Sequence, residues 1–475
     1  MRIVAIDQGT TSTRGFVLDK SGQGSVVCTK EHKQSYPQNG WVEHDPEELL
    51  ANIIDCIEVA TAGGQIDAIG IDNQGESCLA WNSDTGQAIS PVIVWQDRRT
   101  EVVVSLLKKE GAESLTMEKA GLPLDPYFSA TKLAWIVQNI PEAKQLLAKG
   151  KLRLGTTDAF FNDRLTGNYF TDITTASRTS LLNLETGEWD EELCQLFGVP
   201  VEALPEIKPT MGEWGSINVS GTTYPLTASV VDQQASLYGH GCRKKGDVKI
   251  TFGTGAFALG LTGGRLVRDS NSGLLPTIAW QAQDNKPVYA LDGGVYCASS
   301  ALNWAKSLGL FSDFNKINQF EKPPAITRKL VFVPALTGLG CPYWDGSATG
   351  LWLGMTLDTN ANDMVQAIFE GVALRAVEVI NAMSKQIMIG DEISIDGGMS
   401  ANPYFCQFLA DAMGKKIVVQ EQAELTALGT ALMAMGDVNF CLDAPNEKQI
   451  YHPKNTYDGV KELFSKAIQR SQGWR

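Results

Sequence analysis

Along this chain short β-branched runs keep delivering polar residues into glycine-containing turns, and stretches of helical period separate them. The first such unit is residues 1–19. An apolar run at 3–6 leads to Asp7, then to a turn of Gly9 and four consecutive hydroxyl residues (Thr10, Thr11, Ser12 and Thr13), then to Arg14 and a second apolar run at 15–18. That pattern predicts a tight β-hairpin, with a third strand at 25–30. Asp45 stands before Pro46 and two glutamates, which predicts an N-cap and a helix over 46–60. A strand at 66–72 ends in Asn73-Gln74-Gly75-Glu76, and one at 91–94 runs into Trp95-Gln96-Asp97-Arg98-Arg99. The segment LGTTDAFFNDRLTG repeats this design, with Asp158 starting a helix. Tyr127 lies in a loop before an amphipathic helix from Ala130, on which Lys132 and Trp135 share a face. A strand at 228–231 ends in Asp232-Gln233-Gln234, where a further helix starts.

The opening pattern then returns as a strand at 248–252, a Gly253-Thr254-Gly255 turn and a strand at 256–261. The second half continues with a helix at 298–308, a strand at 330–334 and a long glycine-rich aromatic loop. A helix at 361–385, a strand at 393–395, an Asp396-Gly397-Gly398 turn and a helix from Pro403 follow, and the tail, 426–475, reads as helical. Two hairpins of the same shape, each opening about half the chain, suggest a duplication. At 475 residues, two large α/β domains are the natural division, 1–240 and 241–475.

Composition narrows the class. The chain is 43% hydrophobic and 20% charged, ordinary for a globular protein. A net charge of −14 argues against non-specific binding to nucleic acid or an anionic membrane. No run is long enough to span a bilayer, and the N-terminus enters a strand without a signal peptide. Nine cysteines without a C-x-x-C pair lack metal-site spacing and read as free thiols, which points to the cytoplasm.

The turns carry the candidate chemistry. The tip of the first hairpin offers backbone N–H groups and small hydroxyls suited to phosphate oxygens, and Asp7 beside it could hold a divalent cation; an ordinary hairpin with a Thr-rich turn is the competing reading. Polar groups beyond strand ends are where open α/β sheets place ligands. Asp232, at a strand end and a helix N-terminus, is expected to be held ionised by the helix dipole and aimed into a cleft, against the rival role of a plain N-cap. Trp95 and Tyr127 read either as core aromatics or as ligand contacts. The glycines at 397 and 398 let backbone approach a flat ligand, and Asn402 could add a polar contact. No P-loop and no Rossmann fingerprint is present.

The stretches DQGTTSTRG, GWVEHDP, VWQDRRT, DPYFSATK, Asp232-Gln233-Gln234, FGTGAF, TGLGCPYWD and DGGMSANPYF occur in the order found in FGGY carbohydrate kinases, and the chain resembles the glycerol kinases among them. The resemblance implies two ribonuclease-H-like domains of the actin-like ATPase fold, with the active site in the cleft between them. It implies ATP and Mg²⁺, a homodimer or homotetramer, and transfer of phosphate to a small polyol or sugar. By the same resemblance Thr10, Thr11, Ser12 and Arg14 are phosphate contacts, and Asp7 is the acid near the metal. Asp232 is the general base. Gly75, Glu76, Trp95, Tyr127, Gln233 and Phe257 line the acceptor pocket with it. Gly253, Thr254, Ser299, Asn303, Gly398 and Asn402 line the nucleotide site.

Departures sharpen the expectation. Gly75 stands where glycerol kinases carry an arginine that holds substrate hydroxyls, which predicts an acceptor larger than glycerol. Ser299 and Asn303 replace the glycine and glutamine expected on the nucleotide side. The loop that binds fructose bisphosphate in some relatives is shortened to VSGTTYPL, so that inhibition is expected to be absent. A ketopentose kinase and a non-catalytic nucleotide sensor are the alternatives, and the intact Asp7 and Asp232 favour an enzyme.

Overall fold

In the computed structural model, which describes residues 1–269, 272–420, 424–436 and 449–474, two mixed sheets organise the chain. The first runs Met211–Val219, Thr222–Val231, Ala68–Asn73, Arg2–Gln8, Ser12–Asp19, Gly24–Glu31. The second runs Leu275–Trp280, Val288–Val295, Ala256–Gly263, Val248–Phe252, Glu392–Asp396, Lys416–Val419, Gln449–Tyr451. Each has a central strand paired antiparallel with the next strand of its hairpin on one side, and parallel with a later strand on the other. The outer parallel pairs match as well. The duplication expected from the two hairpins therefore extends to a shared core of hairpin and two parallel strands, beyond which the sheets differ: next to the hairpin the first adds Gly24–Glu31, and the second adds Val288–Val295 and then Leu275–Trp280. Parallel strands need long crossovers, and helices supply them.

Local chemistry sets most boundaries where expected. The Asp45 side chain accepts the Glu47 N–H and caps the helix Pro46–Ala62. Asn360 and Asp363 form a capping box at the start of the helix Ala361–Ser384. Ser220 and Gly221 both have positive φ and close a two-residue hairpin turn between the strands Met211–Val219 and Thr222–Val231.

The tail departs from its helical reading. After the helix Leu425–Ala434, the strand Gln449–Tyr451 adds an edge to the second sheet by pairing with Lys416–Val419, and the helix Val460–Ser471 follows. Three residues of strand are too short for a periodic signal; the sheet edge selects them. The expected helix between 437 and 448 lies outside the described residues.

Asp97 and Arg99 of one strand-end segment, and Asp158 of another, hold the fold. Arg99 lies between the rings of Trp41 and Trp135, 3.8 and 4.7 Å from their centroids, and pairs with Asp97 and Glu43. Asp97 in turn accepts the Val42 N–H at 2.7 Å. GWVEHDP, WQDRR and the helix Ser129–Asn139 are thus one packed unit. Asp158 is buried and accepts hydrogen bonds from Thr156, Thr171 and the Asp172 N–H. The strand-end role expected for it is corrected: its oxygens are all turned inward.

The helix Leu425–Ala434 belongs by sequence to the second half but packs on the first sheet. A Cβ on Gly70 would lie 2.9 Å from the Thr430 carbonyl oxygen. It also crosses the helix Asp232–Gly239 at backbone contact. A Cβ on Gly429 would lie 1.8 Å from the Ala235 oxygen, and one on Gly239 would lie 1.9 Å from the Leu425 oxygen. Only glycine permits that approach.

Candidate active site

Three acids gather at the carboxyl ends of three neighbouring parallel strands. Asp7 is in register with Asp72, and Asn73 with Val231, the residue before Asp232. Asp232 opens the helix Asp232–Gly239, and its carboxylate accepts the N–H of its neighbour Gln233 at 2.6 Å. Burial raises its pKa to about 7, helped by the negative charges of Glu76 and Asp7 and opposed by Lys249. The expectation of a carboxylate held ionised by the helix is therefore corrected: one short helix's dipole is outweighed by desolvation and two nearby acids. The N-cap reading also falls, because Val231 occupies the cap position and no side chain caps the helix.

Asp72 did not stand out in the sequence. It lies in register with Asp7, and burial together with the Asp7 charge pushes its pKa well above the ordinary carboxylate value. Thr430, from the helix of the other half, donates to its Oδ2 at 2.6 Å. The available signal was alternation: Asp72 shares a sheet position with Asp7, one strand across.

Asp7 also faces Arg14 across the hairpin, and Arg14 is held by Glu424 at 2.7 Å. Among the described residues no three His, Cys, Asp or Glu side chains form a ready metal cage. Mg²⁺ commonly binds through one or two carboxylates plus substrate phosphates, and the partly exposed carboxylate of Asp7 beside the hydroxyl turn fits that mode.

The first hairpin and the aromatic pocket are joined directly. The Trp95 Nε1–H donates to Thr10 Oγ1 at 3.1 Å, and the Trp95 and Tyr127 rings meet edge to face at 5.5 Å. His32 braces the same turn, its ring bonding the Thr10 carbonyl at 2.9 Å and its N–H the Thr11 carbonyl at 3.2 Å. Gly9 closes the turn through its N–H to the Ser12 oxygen at 3.0 Å. Trp95→Phe keeps the ring contact and removes the hydrogen bond. It is expected to raise KM for the acceptor about two- to tenfold with kcat little changed, read from steady-state kinetics.

Glu76 has a positive φ of 57° and accepts the Arg178 Nε–H at 2.7 Å. Gly75 beside it is not next to open space on its Cβ side, where a methyl group would lie 2.9 Å from Val231 Cγ2. Gln233 accepts a hydrogen bond from Lys249 Nζ at 2.7 Å, a lysine with no exposed surface on the central strand of the second sheet. Phe257 pairs with Thr251 and Gly294 in that sheet. Sequence reasoning missed Arg178 and Lys249, since neither sits in a glycine turn or at a strand end.

On the other side, the Gly253-Thr254 turn is fixed by the Ala298 and Ser299 N–H groups, which donate to the Thr254 and Gly253 carbonyls at 2.9 and 3.0 Å. Gly397, with φ 87°, brings its backbone against Phe252, and Gly398 adjoins Ser299, whose Oγ would be 3.8 Å from a Cβ there. Thr254, Asn303 and Gly398 are exposed. Asn402 differs from its expected role. Its Oδ1 caps the helix Pro403–Met413 through the Phe405 N–H, and its Nδ2 donates to the Ile317 carbonyl and to Asn318, which occupies the side chain structurally. The helix Asp232–Gly239 also reaches this turn from its far end, where His240 Nε2 lies 3.3 Å from Asp396 Oδ2.

Comparison with known proteins gives the same picture over the whole chain. Residues 2–239 match the N-terminal domain of the FGGY family of carbohydrate kinases and residues 248–436 its C-terminal domain. A glycerol kinase of Shewanella frigidimarina is 41% identical over 482 residues, covering 100% of this chain and 96% of that protein. One of Bdellovibrio bacteriovorus is 38% identical over 486 residues, covering 99% and 97%. The crystal structure of Plasmodium falciparum glycerol kinase with ADP superposes with a TM-score of 0.92 at 31% identity, covering 99% of this chain and 98% of that one.

Proposed function

Because this chain belongs to the FGGY family of carbohydrate kinases, we propose that it transfers the γ-phosphoryl group of ATP to a terminal hydroxyl of a small polyol, with Asp232 as general base. It is a phosphotransferase with an alcohol group as acceptor. The observation that supports this assignment of roles is the placement of Asp232, a partly buried carboxyl with a pKa raised to about 7, beside Glu76 and Gln233 and at the same end of the sheet as Asp7 and its hairpin.

Phosphoryl transfer through a loose transition state depends on positioning and charge neutralisation. The turn from Gly9 to Ser12 would present amides and hydroxyls to the phosphates from the first half, and the Gly253-Thr254 turn would do so from the second. Arg14 would exchange its Glu424 partner for phosphate oxygens. Asp7 would hold Mg²⁺, which when bound offsets phosphate charge. Asp232 would take the hydroxyl proton as the new bond forms. Glu76 and Gln233 would accept and donate hydrogen bonds to acceptor hydroxyls while Trp95, Tyr127 and Phe257 cover the carbon skeleton.

The finer proposal is an acceptor larger than glycerol; it rests on the missing hydroxyl-holding arginine at Gly75, which changes what the pocket selects, and not on space vacated there, since Val231 Cγ2 stands on its Cβ side. ATP turnover against glycerol, erythritol, threitol, xylitol, xylulose, ribulose and dihydroxyacetone tests it. A tetritol or pentitol is expected to give the highest kcat/KM. Strong preference for glycerol removes the inference from Gly75, preference for a ketopentose replaces polyol by sugar, and nucleotide binding without turnover of any acceptor overturns the kinase reading.

A further inference from the structure

One buried cation at the acceptor pocket touches both halves of the molecule. Arg178 follows the short helix Ile173–Ala176 in the first half and is 7% exposed. Its Nε–H donates to Glu76 Oε1 at 2.7 Å, and its Nη2 lies 3.2 Å from Asp292 Oδ2, on the strand Val288–Val295 of the second sheet. The remaining nitrogen, Nη1, is buried and has no hydrogen-bond partner in the protein. The same seam is stitched by neutral groups close by: Ser177 meets Thr277 at 3.2 Å, and Gln234 donates to Thr277 and to the Ile278 carbonyl. Those contacts would join the halves without a charge. The guanidinium is therefore more than a fastener, because enclosing an arginine with one nitrogen unsatisfied is unfavourable unless something completes it.

Its surroundings indicate what completes it. The partner Glu76 is flanked by Gly75, which has no side chain to offer, and the Phe128 ring centroid is 5.6 Å from the guanidinium carbon. The charges of Glu76 and Asp292 hold Arg178 firmly protonated. A planar fork fixed at two corners by carboxylates has a defined direction for its third. We propose that Arg178 is a specificity-determining residue of the acceptor site, its Nη1 donating to an oxygen of a hydroxylated small-molecule acceptor and thereby supplying the charged donor that position 75 lacks. This role rests on the reading of the Glu76 and Asp232 region as the acceptor pocket. It also fixes Glu76: the arginine occupies Oε1 and leaves Oε2 for a second hydroxyl.

Steady-state kinetics of Arg178→Lys and Asp292→Asn on the full-length chain, with melting temperatures, test it. The acceptor is the best one found with the wild type. Lysine keeps the charge but not the fork, so KM for the acceptor is expected to rise about tenfold to a hundredfold, the range for losing a hydrogen bond to a charged donor, while KM for ATP stays within about twofold. Asp292→Asn loosens one corner only, and the acceptor KM is expected to rise by a smaller factor with ATP again unaffected. If Arg178→Lys does not fold, Asp292→Asn decides alone by the same split. A lowered melting temperature with both KM values unchanged, or with both raised equally, makes Arg178 purely structural and overturns the proposal. Wild-type protein that turns over no acceptor defeats the reading of the pocket itself, and this role with it; normal wild-type turnover without the split defeats the role alone.

Discussion

Asp232→Asn is expected to leave the chain folded and to lower kcat by about 10²–10⁴, the usual contribution of a positioned general base. The amide is nearly isosteric with the carboxyl and can still accept the Gln233 N–H, so the helix start is preserved. What disappears is the ability to take a proton. The wild-type pH profile carries the same information. With the carboxyl raised to about 7, the deprotonated form required of a base is the minority at pH 6. The kcat/KM is therefore expected to rise with pH through about 7 and then level, and the Asn variant is expected to lose that limb. The stability sign runs the other way. A group whose folded pKa lies above its unfolded value stabilises the fold at acid pH, and that contribution is lost as pH rises through about 7. At pH 8 the Asn variant should accordingly melt no lower than wild type. Retained turnover, or a profile flat through neutrality in the wild type, would remove Asp232 from the mechanism.

Gly429→Ala should do the opposite, damaging the fold first. Its new Cβ would sit 1.8 Å from the Ala235 carbonyl oxygen, and the neighbour is backbone, which has no rotamer to give way. The two helices must move apart, at a cost of about 3 kcal/mol, which corresponds to a fall of roughly 6–12 °C in apparent melting temperature. Turnover should drop as well, because one helix begins with Asp232 and the other carries Thr430, which bonds Asp72 beside Asp7. Calorimetry and kinetics on the same preparation separate the two variants: Asp232→Asn loses rate without melting temperature, and Gly429→Ala loses both. An unchanged melting temperature would mean that the helices do not cross at backbone distance.

Much of the fold was legible because its signals are local. A β-branched run, a glycine turn and a second run constitute a hairpin whatever surrounds them. The recurrence of that unit at Val248–Phe252 and Ala256–Gly263 was enough to suggest two related halves. Helix starts were legible for the same reason, since Asp45 and Asn360 cap within three residues of themselves. Where the reading failed, the deciding partner was far away in sequence. Asp158 and Asn402 occupy turn positions that look available, yet tertiary neighbours at Thr171, Ile317 and Asn318 use up their polar atoms. The strand Gln449–Tyr451 exists because the second sheet has an edge to pair with.

The same division runs through the site. The amino-acid sequence by itself determined the two glycine-threonine hairpins, the strand-end position of Asp232 and the resemblance that orders the motifs, because each is written in contiguous residues. Only the tertiary structure decided the protonation and pairing of the acids. Burial and the in-register charge of Asp7 raise Asp72, and burial with the charges of Glu76 and Asp7 raises Asp232. It also brought Arg178 to Glu76 across 102 residues and Thr430 to Asp72 across 358. Desolvation and charge proximity depend on what the folded chain places around a group, and no window of sequence contains those neighbours.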